Sequence, residues 1–196
     1  ACLKIVKKGS VLLSTKKKIF GEIMNLVSVI RNVPDFTKKG IMFRDITTVL
    51  QNKEALQFCI DSLYEQYKNA GIQKVVGIES RGFILGAALA YKLGVGFVPI
   101  RKPGKLPSAK IKQEYQLEYG TDAMELHTDA IAKGERVLLH DDLLATGGTI
   151  GAACSLIEKL DGNIVSLSFI IELSFLQPRF KLSKYNIFSL VQYDSE

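Results

Sequence analysis

Hydrophobic positions change period repeatedly along the 196 residues, and each change predicts an element. In 19–32, IFGEIMNLVSVIRN, Ile23, Leu26, Val27 and Ile30 share one face at helical spacing. VPDFTKKG follows as a Pro- and Gly-marked connection, and IMFRDITTVLQ is a mixed segment. Residues 54–69 align Leu56, Cys59, Ile60, Leu63 and Tyr67 and predict a helix ending near Gly71. KVVGIES and GVGFVPIR read as short strands around a helix, RGFILGAALAYKLG, that closes on Gly94. KPGKLPSAKIKQEYQ is polar, without clear period, and long for a plain connection, so it reads as a functional loop. LEYG and AMELH are expected to pair as an antiparallel ribbon. ERVLLHDD is a strand, and GTIGAACSLIEKLDG is a helix with Ile150, Ala153, Ile157 and Leu160 on one face. NIVSLSFIIELS and NIFSLVQY add two further strands. Strands alternating with helices predict an α/β fold, a mostly parallel sheet flanked by helices. Such sheets bind ligands at the carboxyl ends of their strands.

Charge changes this picture at one end only. The chain carries 26 basic and 20 acidic residues, a formal charge of +6. Residues 1–20 hold six lysines and no acid, so positions 21–196 balance at 20 and 20. This divides the chain into a basic N-terminal extension, 1–20, and a single domain, 21–196. The extension suits nucleic acid, anionic lipid, a targeting receptor or simple solvation, and its VLL is too short for a signal-peptide core. No apolar run approaches the roughly 20 residues that span a bilayer, so no membrane association is expected. The three cysteines are widely spaced with no CxxC, so neither a disulfide framework nor a zinc site is suggested, and a reducing, cytoplasmic setting fits best.

Candidate chemistry concentrates in residues 137–149, VLLHDDLLATGGT. Asp141 and Asp142 stand at the end of a strand, where carboxylates accept hydrogen bonds from sugar hydroxyls. Ala145, Thr146, Gly147, Gly148 and Thr149 follow as a small-residue turn into a helix. Its backbone N–H groups, the positive helix end and two threonine hydroxyls together form an anion site. Hydroxyl acceptors beside a phosphate cradle outline a ribose 5-phosphate. The run has neither GxxxxGK[ST] nor GxGxxG, which disfavours a triphosphatase loop and a dinucleotide fold.

VLLHDDLLATGGT resembles the ribose-phosphate signature of the type I phosphoribosyltransferases, in the form found in their adenine-specific branch. VPDFTKKGIMFRDIT, GIESRGFILG, IRKPGKLP, YQLEYG and FSLVQY resemble further segments of that family, in the same order, over roughly residues 20–193. The resemblance implies the type I phosphoribosyltransferase fold with a small N-terminal hood and a mobile loop. It implies transfer of the 5-phosphoribosyl group from phosphoribosyl pyrophosphate to adenine, giving AMP and pyrophosphate. By the same resemblance Glu79, Ser80, Arg81, Arg101, Lys102 and Lys105 would bind pyrophosphate, with a cis peptide between Glu79 and Ser80. Met42, Phe43 and Arg44 would bind adenine, Phe43 by stacking and Met42 through its backbone. Glu118 would handle the imidazole proton, with Tyr119 of the loop packed beside it, so Glu118 and Arg81 are the implied catalytic pair. Mg²⁺ would ride on phosphate and ribose oxygens without a protein metal cage. Family members are homodimers, and nucleic acid is not an expected partner. His140 is expected in the strand beside the sugar and His127 at the surface. Two alternatives stay open: another purine as acceptor, or a regulator that senses phosphoribosyl pyrophosphate and binds nucleic acid.

Overall fold

A computed structural model describes residues 24–36, 39–116 and 120–195. The lysine-rich extension, Glu118 and Tyr119 lie outside them. Five strands form the central sheet: β3 (Lys74–Ile78), β4 (Gly96–Ile100), β7 (Arg136–Leu144), β8 (Asn163–Leu173) and β9 (Ile187–Tyr193). Their spatial order is β4-β3-β7-β8-β9, and every neighbouring pair is parallel. The order therefore reverses between β3 and β7, which opens a crevice at the carboxyl ends of those two strands.

Alternation along the strands sends side chains to both faces. Val76, Val137 and Leu139 join one buried cluster, with Ile150, Ala153 and Ile157 of α5 (Gly148–Lys159). Val75 and Leu138 join the other, with Cys59 and Leu63 of α3 (Lys53–Tyr67) and Leu85 and Leu89 of α4 (Arg81–Leu93). The predicted periodicities of α3 and α5 thus name the faces that cover the sheet. Asn52 caps α3, accepting from the Ala55 N–H at 2.8 Å, and Gly94 ends α4 in the left-handed conformation. Cys59 and Cys154 are buried free thiols, pushed by burial up to about 12. Among the described residues, no helix is long and apolar enough to cross a membrane.

Two expectations about elements are corrected. The helix expected over 19–32 survives, within the described residues, only as α1 (Leu26–Val29), and the chain turns extended as β1 (Arg31–Pro34). Pro34 has no N–H and holds Val33 out of helical geometry, while β2 (Met42–Asp45) offers β1 an antiparallel partner. α2 (Thr47–Gln51) follows directly, so the mixed segment is a strand and a helix in series. The ribbon is the second correction. β6 (Thr121–His127), which carries AMELH, takes as its antiparallel partner β5 (Lys110–Gln116), in the stretch read as loop, while residues 117–119 of LEYG lie outside the described residues. Ile111 and Tyr115 alternate inward against the core while Lys110, Lys112, Glu114 and Gln116 face solvent. The strand alternation was present, but three charged residues and two glutamines masked it.

Candidate functional site

Two chain reversals meet at the crevice. On one side β3 ends and α4 begins at Arg81, with the Glu79–Ser80 peptide cis between them. On the other side β7 runs two residues past the paired aspartates, to Leu144, and residues 145–147 lead into α5. Gly147 starts that helix at φ +82°, a left-handed geometry that favours glycine. Gly148 and Thr149 form its first turn, where backbone N–H groups have no partner within the helix.

Arg81 bridges the crevice. Its Nε lies 2.8 Å from Asp142 Oδ2, as an ion pair without the alignment of a hydrogen bond. Its guanidinium carbon also sits 5.5 Å from the centre of the Phe43 ring. One side chain thus touches the sugar-side acid and the strand of the hood. Asp142 is only 3% exposed. Burial pushes its carboxyl up, and the Arg81 charge offsets part of that rise. Burial and the adjacent Asp142 charge push Asp141 well above the ordinary carboxylate range. Asp141 Oδ1 accepts from the Asp142 N–H at 2.9 Å. A pair so disfavoured as two bare anions is suited to accept from hydroxyl groups.

Of the cations expected to bind pyrophosphate on this edge, Arg101 and Lys102 each hold a carboxylate. Arg101 donates from Nε and Nη2 to Glu79 at 3.2 Å each, and the Lys102 N–H donates to Glu79 at 2.9 Å. These bonds hold Glu79 below its usual range. Lys102 Nζ pairs with Asp122 and lies 3.2 Å from Tyr115 Oη. Lys105 is exposed, and its carbonyl accepts from Arg101 Nη1 at 3.2 Å. A cleft lined by Glu79, Arg101, Lys102, Tyr115 and Thr149 joins this cationic edge to the phosphate loop. Among the described residues, no three His, Cys, Asp or Glu side chains are arranged to hold a metal ion.

The hood residues divide. Phe43 is half-buried and packs on Phe36 with ring centres 4.8 Å apart. Met42 is half-buried beside it. The Arg44 side chain turns away from the crevice. It is buried, donates to Asn32 Oδ1 at 2.5 Å, and stacks 4.1 Å above the Tyr193 ring. Only its backbone is left to meet a base. His140 lies in β7 beside the acids, wholly buried, with Nδ1 3.2 Å from Ser168 Oγ. Burial pushes it down to about 4, so it is a neutral ring in the core. His127 is half-buried, and its Nε2 accepts from the Ser108 N–H at 3.4 Å.

Several residues escaped the reading of the sequence. A Cβ at Gly82 would lie 2.8 Å from Asp141 Oδ1, so a bare backbone here lets the start of α4 close on the acids. Glu125, buried in β6, accepts from the Gly104 N–H at 3.0 Å, and its backbone pairs with Arg101. The glycines of RGFILG, four apart, were the available signal for the first. A lone acid within AMELH was the signal for the second.

A phosphoribosyl transferase domain model matches residues 45–185. An adenine phosphoribosyltransferase of Chloroflexus aurantiacus is 59% identical over 169 residues, covering 86% of this chain and 98% of that protein. The crystal structure of adenine phosphoribosyltransferase from Thermoanaerobacter pseudethanolicus superposes with a TM-score of 0.83 at 50% identity, covering 85% of this chain and 97% of the other. The Saccharomyces cerevisiae adenine phosphoribosyltransferase, complexed with D-2,5-dideoxy-2,5-imino-altritol 1,6-bisphosphate and adenine, superposes at 0.80 and 41% identity, covering 85% and 96%.

Proposed function

The chain belongs to the phosphoribosyl transferase family, among its adenine phosphoribosyltransferases, and on that premise we propose how its own residues carry the reaction. It transfers the 5-phosphoribosyl group from phosphoribosyl pyrophosphate to adenine, giving AMP and pyrophosphate in purine salvage. One observation carries the assignment of roles. The paired acids and the glycine-started helix lie across the crevice from Arg81, so sugar, 5′-phosphate and leaving group each meet complementary chemistry.

In this reading the ribose hydroxyls donate to Asp141 and Asp142. The 5′-phosphate takes the N–H groups of residues 145–149 and the hydroxyls of Thr146 and Thr149. The bond from C1 of the ribose to pyrophosphate breaks as N9 of adenine bonds to C1, and negative charge grows on the departing oxygens. Arg81, Arg101, Lys102 and Lys105 receive that charge, Arg101 and Lys102 by exchanging a carboxylate partner for phosphate oxygens. The base stacks on Phe43, and the backbone from Met42 to Arg44 meets its edge. Glu118, with Tyr119 beside it, takes the imidazole proton.

Mg²⁺ prefers hard oxygen ligands and keeps several waters. Asp141 and Asp142 supply the protein oxygens of that kind, and Asp142 Oδ2 is buried with no aligned donor. The two acids fit an ion that arrives on the substrate better than a cage of their own. Bound there, Mg²⁺ would neutralise charge on the leaving oxygens. The reading extends to a cytoplasmic homodimer. Ile84 and Tyr91, one face of α4 and respectively 50% and 89% exposed, are apolar positions available to a second copy.

The test is turnover with phosphoribosyl pyrophosphate, Mg²⁺ and each of adenine, guanine, hypoxanthine and xanthine, with products separated by chromatography. AMP from adenine alone is expected. Product from an oxopurine alone would overturn the base, and no product with any purine would overturn the reading.

A further inference from the structure

Behind the phosphate loop lies a second polar cluster that the reaction does not use. Glu172 stands near the end of β8, 1% exposed, in register with Leu144 of β7 on one side and Gln192 of β9 on the other. Leu144 is the residue immediately before the phosphate loop. The buried carboxylate therefore sits level with the residue that leads into the loop, one strand away.

Four donors converge on it. Arg179 donates from Nε at 2.7 Å and from Nη2 at 2.8 Å, a two-pronged pair. Ser189 Oγ donates at 2.6 Å and Gln192 Nε2 at 3.2 Å. Burial pushes the Glu172 carboxyl up, but these donors outweigh it and hold it below its ordinary range. It is an anion in the core, matched on every side.

Arg179 belongs to a different segment. After β8 the chain makes a 3-10 turn (Ser174–Leu176), passes Gln177 at φ +51°, and forms the short helix α6 (Pro178–Lys181). This segment underlies the phosphate loop. A Cβ at Gly147 would lie 3.3 Å from Leu182 Cδ1 and 3.5 Å from the Pro178 carbonyl oxygen. Leu182 itself is 2% exposed and packs in the core cluster that contains α5. Glu172 thus reaches Gly147 by two routes, through β7 to Leu144 and through Arg179 to Leu182.

We propose that Glu172 and Arg179 are positioning residues for the 5′-phosphate, seating residues 178–182 beneath Gly147 so that the loop's N–H groups are aimed before substrate arrives. The proposal rests on the phosphate role given to residues 145–149. It concerns affinity for one half of the substrate. The cations of the pyrophosphate side lie in residues 101–105, between β4 and β5, and at the start of α4, and they pair with Glu79, Asp122 and Asp142 rather than with Glu172.

The experiment measures the two halves separately. Binding of ribose 5-phosphate and of pyrophosphate, each with Mg²⁺, is followed by calorimetry for the wild-type chain, Arg179→Ala, Arg179→Lys and Leu182→Ala. Arg179 is half-exposed, so its removal leaves Glu172 bonded to Ser189 and Gln192. Arg179→Ala is expected to weaken ribose 5-phosphate about tenfold with pyrophosphate unchanged. Arg179→Lys, which keeps the charge but not the fork, should recover part of the loss. Leu182→Ala should act on the same ligand, and the double variant should fall short of the sum. In turnover, the KM for phosphoribosyl pyrophosphate should rise while kcat and the KM for adenine stay within about twofold. Unchanged ribose 5-phosphate affinity in Arg179→Ala overturns the proposal, as does an equal weakening of both ligands. Wild-type protein that binds neither ligand would instead overturn the phosphate site itself.

Discussion

The floor of the crevice and the ribbon beside it present the same kind of contact, a cation against a carboxylate, in opposite settings. On the floor, Arg81 meets Asp142, which is 3% exposed and backed by the full depth of the sheet. On the ribbon, Lys102 meets Asp122 with both side chains substantially in water. A charge in the first setting is costly to leave unmatched, whereas an exposed pair contributes about 0–1 kcal/mol. The floor is therefore built to be rigid before substrate arrives, and the ribbon's pair is built to exchange. The difference suits a reaction that holds a sugar phosphate firmly but must admit and release pyrophosphate.

Three measurements would break or sharpen that contrast. The largest effect is expected from Arg81→Ala, which removes the cation joining both halves. Catalytic turnover should fall by about 10²–10³-fold, the usual scale for losing one donor to developing negative charge. A loss below about tenfold would mean that Arg101, Lys102 and Lys105 carry the leaving group without it.

The next effect belongs to the floor alone and is read as pH-dependent stability. His140 is pushed down to about 4 from an ordinary 6.5 by burial. Between those values the unfolded chain binds a proton that the folded chain does not. Stability is thus fully present above about 6.5 and is lost as the pH falls towards 4, by on the order of 3 kcal/mol for this group. Thermal melts from pH 7 to 4.5 should show the decline, and His140→Asn should flatten it. A variant with the same slope as wild type would place the acid sensitivity elsewhere.

The smallest effect should come from Asp122→Asn on the ribbon. Lys102 holds the Asp122 carboxyl below its usual range, but the pair is exposed. The melting temperature should barely move. The KM for phosphoribosyl pyrophosphate should fall by less than about fivefold, since Lys102 no longer has a competing anion. A large stability loss would show that the ribbon is as firmly built as the floor and would remove the contrast.

Much of this protein was legible in its sequence, and unevenly so. The helix faces of α3 and α5 were readable because each carries apolar residues at one period against an all-parallel sheet. VLLHDDLLATGGT stood out because paired acids at a strand end and bare backbone at a helix start are written into residue type at close spacing, and the fold brings both to the crevice. β5 was misread as loop, since an outlying ribbon buries only alternate residues and fills the rest with lysine and glutamate. β1 was hidden because its extended state depends on a partner, β2, eight or more residues away.

What the sequence determined by itself was local: periodicity, the glycine start of α5, and the close spacing of paired acids and small residues in 141–149. Only the tertiary structure decided which distant groups meet. It set Arg81 against both Asp142 and Phe43, turned the Arg44 side chain onto Tyr193, and brought Arg179 to Glu172. A sequence pattern records what each residue requires of its surroundings. Charged groups can satisfy that requirement with many partners, and only the packing of the sheet selects which one is within 3 Å for Arg81 and for Arg179.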